Sequence, residues 1–259
     1  MILAIDVGNT HTIFGLFDKK KLLGSWRVTS FVSRTEDEFG SLVKNFCHDT
    51  GVSIKKINSI GISSVVPNLT TTMVSMSKKI FNIEPLIISS SLSLGITILY
   101  DDPTAVGADR ICNAVAAFTK YNEAVVIVDF GTATTFDVVN RKGEYIGGVI
   151  SPGVETAAVE LHRRASLLPR VDLKFPETVI GTNTVHAMQS GILFSALDAM
   201  ETMIRRISRE LDDYPIVIAT GGFSETMAKH SKVINKLEPN LVLDGIRIIT
   251  ERSLQRKKK

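Results

Sequence analysis

The chain has 259 residues, 44% apolar and 22% charged, with a formal net charge of +3, enough for one large α/β domain or two domains of about 100–150 residues each. This balance argues against a disordered chain, and the lack of a basic stripe with interleaved aromatics argues against nucleic acid as a partner. Two distant cysteines, Cys47 and Cys112, fit a reducing cytoplasm rather than a disulfide framework or a zinc site, and the longest aliphatic run, Ala124 to Val128, is too short to cross a membrane.

In chain order, Met1 to Ile5 predicts a strand ending at Asp6, and Gly8-Asn9-Thr10 a turn. A second strand is expected over Thr12 to Phe17 and a third over Leu22 to Val28, with Asp18 to Lys21 as a polar turn between them. Short links between three strands predict an antiparallel meander. Helical spacing over Glu36 to Asp49 puts Phe39, Leu42, Val43 and Phe46 on one face. Ile57 to Val66 reads as a strand stopped by Pro67, and Asn68 as the cap of a helix running to about Phe81. A short strand over Leu86 to Ile88, a loop with Asp101-Asp102-Pro103 and an alanine-rich helix over Ala108 to Tyr121 complete the first half.

The pattern then restarts. Ala124 to Val128 predicts a strand ending at Asp129, Gly131-Thr132-Ala133 a turn, Thr135 to Val139 a strand and Tyr145 to Ile150 another. Pro152 and Gly153 open a helix, and Asn183 to about Leu211 predicts a long one whose aliphatic face reads as core with a share of subunit interface. Ile216 to Ala219 reads as a strand, Thr220-Gly221-Gly222 as a turn against which a flat adenosine could lie, Ser224 to His230 as a helix and Leu241 to Leu243 as a final strand. The tail, Arg256 to Lys259, reads as a solvated terminus.

An offset of 123 residues lays Asp6 on Asp129, Gly8 on Gly131, Thr12 on Thr135 and Gly24 on Gly147. A strand, an acidic strand end, a glycine turn and two more strands occur twice, which implies an internal duplication. The expected fold class is therefore α/β: two duplicated domains, each a mixed sheet with an antiparallel three-strand meander flanked by helices. The expected division is 1–115 and 116–259. A glycine turn lets the backbone approach phosphate oxygens, and its N–H groups can point at the anion. Thr10 and Thr132 add hydroxyl donors. The two aspartates make sense beside a cation rather than on bare phosphate. No GxxxxGK[ST] or GxGxxG motif occurs.

Asp6-Val-Gly-Asn-Thr10 resembles the first phosphate motif of the acetate kinase, sugar kinase, chaperone ATPase and actin superfamily, and Asp129 to Asp137 resembles the second. More narrowly, Gly107-Ala-Asp-Arg110, the Asp129 segment and Gly148 to Gly153, in register, resemble type III pantothenate kinase from residue 2 to about residue 250. The resemblance implies two RNase H-like domains, a cytoplasmic homodimer, and ATP-dependent phosphorylation of the terminal (4') hydroxyl of pantothenate, the first step towards coenzyme A. It implies a monovalent cation, potassium or ammonium, besides the magnesium carried with ATP. On the matching positions Asp6, Val7, Gly8, Asn9, Thr10, His11, Thr12 and Ile13 line the ATP phosphates and Thr132 contacts ATP. Asp129 ligates the monovalent cation. Tyr100, Gly107, Ala108, Asp109 and Arg110 form the pantothenate site, Thr184 reaches substrate, and Asp109 is the general base. His11 is a departure, since a smaller polar residue is expected in that turn.

From spacing alone Asp109 reads equally as the cap of the helix that follows it and as a proton acceptor. Arg110 reads as a substrate contact or as an ion-pair partner of Asp101 or Asp102. Asp137 and Glu155 are further acids near the second motif, and His162 with Arg163 and Arg164 reads as a solvated helix face. Two other functions fit both phosphate turns: a different small-molecule kinase of the superfamily, or a nucleotide-binding regulator on the same fold.

Overall fold

The structure, a computed structural model, describes residues 1–256. Its strands are β1 (Ile2–Val7), β2 (His11–Asp18), β3 (Lys21–Thr29), β4 (Ser59–Ser64), β5 (Leu86–Ile87), β6 (Thr97–Ile98), β7 (Val125–Phe130), β8 (Ala133–Val139), β9 (Glu144–Pro152), β10 (Ile216–Thr220) and β11 (Lys236–Leu237). The helices are α1 (Glu36–Asp49), α2 (Pro67–Phe81), α3 (Ala108–Tyr121), α4 (Val154–Arg164), α5 (Thr184–Leu211), α6 (Ser224–Ala228) and α7 (Leu241–Arg256). Among the described residues no helix is long and apolar enough to cross a membrane. The chain forms two compact units: Met1–Lys120 together with α7, and Tyr121–Asn240.

In the first unit the strand order is β3-β2-β1-β4-β5, with the β1–β2–β3 meander antiparallel and β4 and β5 parallel to β1. Strand alternation sorts the side chains. Leu3, Ile5, Val7, Phe14, Leu16, Ile60 and Ile62 share a core with Phe39 and Val43 of α1 and Leu69, Met73 and Met76 of α2. The opposite face carries a row of small residues, because Ala4 pairs with both Gly15 and Gly61. Helix α7 lies there: a Cβ on Gly15 would come 2.9 Å from the Leu243 side chain, and one on Gly61 would come 2.7 Å from Ile246. Thr35 and Glu38 form a reciprocal capping box that starts α1.

The second unit repeats this plan as β9-β8-β7-β10-β11, again with an antiparallel meander and parallel β10 and β11. Val126, Val128, Phe136 and Val138 pack on Leu197, Met200 and Ile204 of α5. The duplication is visible residue by residue: β1 and β7 share one burial sequence, with the aspartate as the only half-buried position.

Four expectations change. Leu241 to Leu243 is the first turn of a helix, not a strand. A three-residue apolar run cannot separate the two, and here burial recurs at Gly245, Ile246, Ile249 and Thr250 with helical spacing. Because α7 packs on β1 and β4, its residues lie with the first unit rather than with 116–259. Asn68 does not cap α2. Val66 holds that position without a side-chain bond, and Pro67 opens the helix. Thr12 matches Thr134 rather than Thr135. Asp6 pairs with Ile13 while Asp129 pairs with Thr135, so the second turn is one residue shorter. The burial patterns of β2 and β8 agree in this shifted register. A longer link before β9 restores the original offset at Gly24 and Gly147. The basic tail beyond residue 256 lies outside the described residues.

Candidate active site

The turn at Gly8 to Thr10, expected to hold phosphate, is a closed loop. The Gly8 N–H donates to the His11 carbonyl at 3.0 Å, and the Ser30 N–H donates to the Thr10 carbonyl at 2.9 Å. The Ser30 hydroxyl donates to the Gly8 carbonyl at 2.7 Å and lies 2.9 Å from Thr12 Oγ1. Asn9 and Thr10 are exposed at the tip, and Asp6, Gly8, His11 and Ile13 are half-buried. Val7 and Thr12 are buried, so their side chains build the turn and only their backbone remains for a ligand. Ser30 has no signal in the sequence, because it reaches the turn through the β2–β3 pairing. Ser30→Ala is expected to cost about 1–2 kcal/mol, from two lost hydrogen bonds that leave the Gly8 carbonyl without this donor and the Thr12 hydroxyl without this acceptor. Chemical denaturation checks it, and an unchanged midpoint would show that the turn holds without the brace.

Asp6 is held from the neighbouring strand. Ser63 sits opposite it in the β1–β4 register, and its hydroxyl donates to Asp6 Oδ1 at 2.8 Å. Asp109 lies in the first turn of α3, where Oδ1 accepts the Arg110 backbone N–H at 2.8 Å. A Cβ on Gly107 would sit 2.5 Å from that same Oδ1, so glycine there leaves the space the carboxylate occupies. Burial pushes the Cys112 thiol well above its usual pKa, and the charges of Asp6 and Asp109 push it further. Both acids therefore act electrostatically on one buried thiol. Of the expected substrate residues, Ala108 and Arg110 are buried, and Tyr100, Gly107 and Asp109 are half-buried. Asp102 is occupied elsewhere, accepting the N–H and hydroxyl of Thr104.

In the second unit Asp129, the penultimate residue of β7, lies beside the turn at Gly221. A Cβ on Gly221 would collide with Asp129 Oδ1 and lie 2.7 Å from the Phe130 nitrogen. Gly221 has φ +87°, a conformation that favours glycine. Neither Gly8 nor Gly131 has a positive φ. Glycine at those turns serves access to the backbone instead. The Thr132 carbonyl accepts the Gly153 N–H at 3.1 Å and the Thr156 hydroxyl at 2.6 Å, which ties the turn to the start of α4. Asp137 is fully buried and accepts the Tyr145 hydroxyl at 2.7 Å. Thr184 is the exposed first residue of α5, capped by Asn183. The carboxylates of Asp6 and Asp109 in the first unit, and separately of Asp129 in the second, are hard oxygen donors, the type that suits hard cations such as magnesium.

The family model described as type III pantothenate kinase matches residues 2–206. A type III pantothenate kinase of Geobacter sulfurreducens is 45% identical over 253 residues, covering 98% of this chain and 99% of the relative. That of Myxococcus xanthus is 44% identical over 254 residues, with 98% and 99% covered. Among solved structures, the ROK hexokinase of Thermus thermophilus aligns with a TM-score of 0.56 at 11% identity, over 98% of this chain and 99% of that one. This last likeness shows the fold alone, two repeated α/β units of RNase H-like plan. A match running through both phosphate turns, the Gly107–Arg110 segment and most of α5, with relatives covered end to end, leaves one conclusion: the chain belongs to the type III pantothenate kinase family.

Proposed function

We propose that this protein transfers the γ-phosphoryl group of ATP to the terminal (4') hydroxyl of pantothenate, the first step of coenzyme A biosynthesis. The observation that carries the residue assignment is the convergence of Asp6 and Asp109 on the Cys112 thiol. It supports a reading in which the first turn and the acid of α3 serve one site in the first unit. Phosphoryl transfer needs the phosphates neutralised, the hydroxyl aligned and its proton accepted. Asp109 takes the proton: the Arg110 N–H holds Oδ1, which leaves the other oxygen as the acceptor. Gly107, Ala108, Arg110 and Tyr100 surround the pantothenate, and Thr184 adds a contact. The backbone from Asp6 to Ile13 and the Thr132 segment bind the ATP phosphates. Asp6, steadied by Ser63, would hold the magnesium brought with ATP, which would supply charge neutralisation on those phosphates. Asp129 would hold a monovalent cation, potassium or ammonium.

A homodimer is part of this reading, supported by the exposed aliphatics Leu167 and Ile180 (92% and 83% exposed) in the segment leading into α5. The buried free thiols Cys47 and Cys112 support a cytoplasmic setting. A coupled ADP-release assay tests the reaction and the cation together. Turnover is expected with pantothenate in potassium, and slower turnover in sodium. Turnover on another alcohol but none on pantothenate would move the assignment to a different small-molecule kinase, and ATP binding without turnover would favour a regulator. Indifference to the potassium-to-sodium swap would remove Asp129 from its role.

A further inference from the structure

At the opposite end of α3 from Asp109, the first unit contains a cavity of about 480 Å³ between the last turns of α3, helix α7 and the β2–β3 turn. Its apolar wall is Ala116, Leu241 and Ile248, and its charged groups are Lys20, Lys120, Arg247 and Arg252 against Asp244 and Glu251. Both acids are committed. Arg247, only 8% exposed, takes Glu251 at 2.9 Å and Asp244 at 3.4 Å, and its guanidinium stands 5.6 Å over the Phe17 ring.

Arg252 is different. Its guanidinium donates to neutral acceptors, the Leu94 carbonyl and, at 3.2 Å, the Thr119 hydroxyl. Gly95, with φ +75°, makes room for it: a Cβ there would fall 2.6 Å from the guanidinium carbon. Among the described residues no carboxylate pairs with Arg252 or with Lys20. A fixed, partly buried guanidinium without a counter-ion in a concave, half-apolar wall is the arrangement that recognises an anionic organic ligand. A cation near the C-terminal end of α3 also suits the helix dipole. That accounts for its sign but not for the cavity, nor for acceptors that leave the charge uncompensated.

We propose that this cavity is a second ligand site, distinct from the phosphate turns, which takes a phosphate-bearing small molecule. The phosphate lies on Arg252 and Lys20, and the organic part lies on Ala116, Leu241 and Ile248. Helix α3 joins this site to Asp109 through about three turns of continuous helix, so occupancy bears on the element that carries the base.

The test uses the full-length protein, with inorganic pyrophosphate as the probe and ionic strength held constant by sodium chloride. A non-hydrolysable ATP analogue at saturation occupies the catalytic turns, and binding is followed by calorimetry. Saturable binding is expected in the wild type, weakened at least fivefold in Lys20→Gln and more in Arg252→Gln. Lys20 is exposed on a turn, so its variant leaves the fold intact and keeps the test decisive even if Arg252→Gln unfolds. Absence of saturable binding, or equal affinity in the wild type and Lys20→Gln, overturns the proposal. Because turnover is not the readout, failure here leaves the kinase assignment untouched.

Discussion

Asp109→Asn is expected to lower kcat by about 10²–10⁴-fold, the usual contribution of a positioned general base, while moving the melting temperature by no more than a few degrees. The structure makes this substitution a clean one. Asparagine keeps an oxygen at the position of Oδ1, so the bond from the Arg110 N–H and the start of α3 survive. It has nearly the same volume, so the space left by Gly107 still holds it. What it lacks is a basic oxygen to receive the pantothenate proton. A simple helix cap predicts that turnover and stability are both largely kept, since asparagine caps a helix about as well as aspartate. The two readings that spacing alone left level are therefore separated by measuring kcat on one variant, with the melting temperature as the check on folding. Near-wild-type turnover would remove Asp109 from the base role.

Much of the fold was legible because the central strands are simple objects. β1 and β7 are continuous apolar runs ended by an acid, as expected for strands buried on both faces, and the helices α1 and α3 agree with their predicted limits. Legibility failed where a residue's meaning depends on a distant partner. Leu241 to Leu243 could not declare itself helical until Gly15 and Gly61 supplied the smooth face on which α7 lies. Thr12 and Thr135 shared a residue type and an ungapped offset, yet the pairing of Asp129 with Thr135 shows that turn length, not identity, sets equivalence. Ser30 and Ser63 carry no pattern of their own. They matter because strand register brings one hydroxyl to the Gly8 carbonyl and the other to Asp6. Type and motif single out the candidate residues for the chemistry, but they carry no sign of the groups that hold those residues in place.

The glycines around Asp129 divide into two kinds, and substitution should separate them. Gly221→Ala is expected to lower the melting temperature by roughly 5–15 °C and to abolish measurable turnover. An alanine at φ +87° carries strain of about 1–2 kcal/mol. Its methyl would in addition collide with Asp129 Oδ1 and approach the Phe130 nitrogen to 2.7 Å and its carbonyl carbon to 2.8 Å. Overpacking against backbone adds about 1–3 kcal/mol, and each kcal/mol moves the melting temperature of a chain this size by about 2–4 °C. The strand cannot yield without breaking the pairing of Thr220 with Asp129, so the carboxylate moves instead and the proposed cation position is lost. Gly131→Ala is the contrast. Its φ is not positive, and its Cβ would meet the Ala133 carbonyl at 3.5 Å and Asp129 Oδ1 at 3.7 Å, ordinary contact distances. The fold should keep its melting temperature within a few degrees, while the methyl narrows the approach of ATP phosphates to the turn and raises the KM for ATP. If both variants lose stability alike, the second turn is held by packing around both glycines and the division by function fails. If Gly221→Ala keeps both its stability and its turnover, Asp129 is not the fixed cation ligand proposed for it.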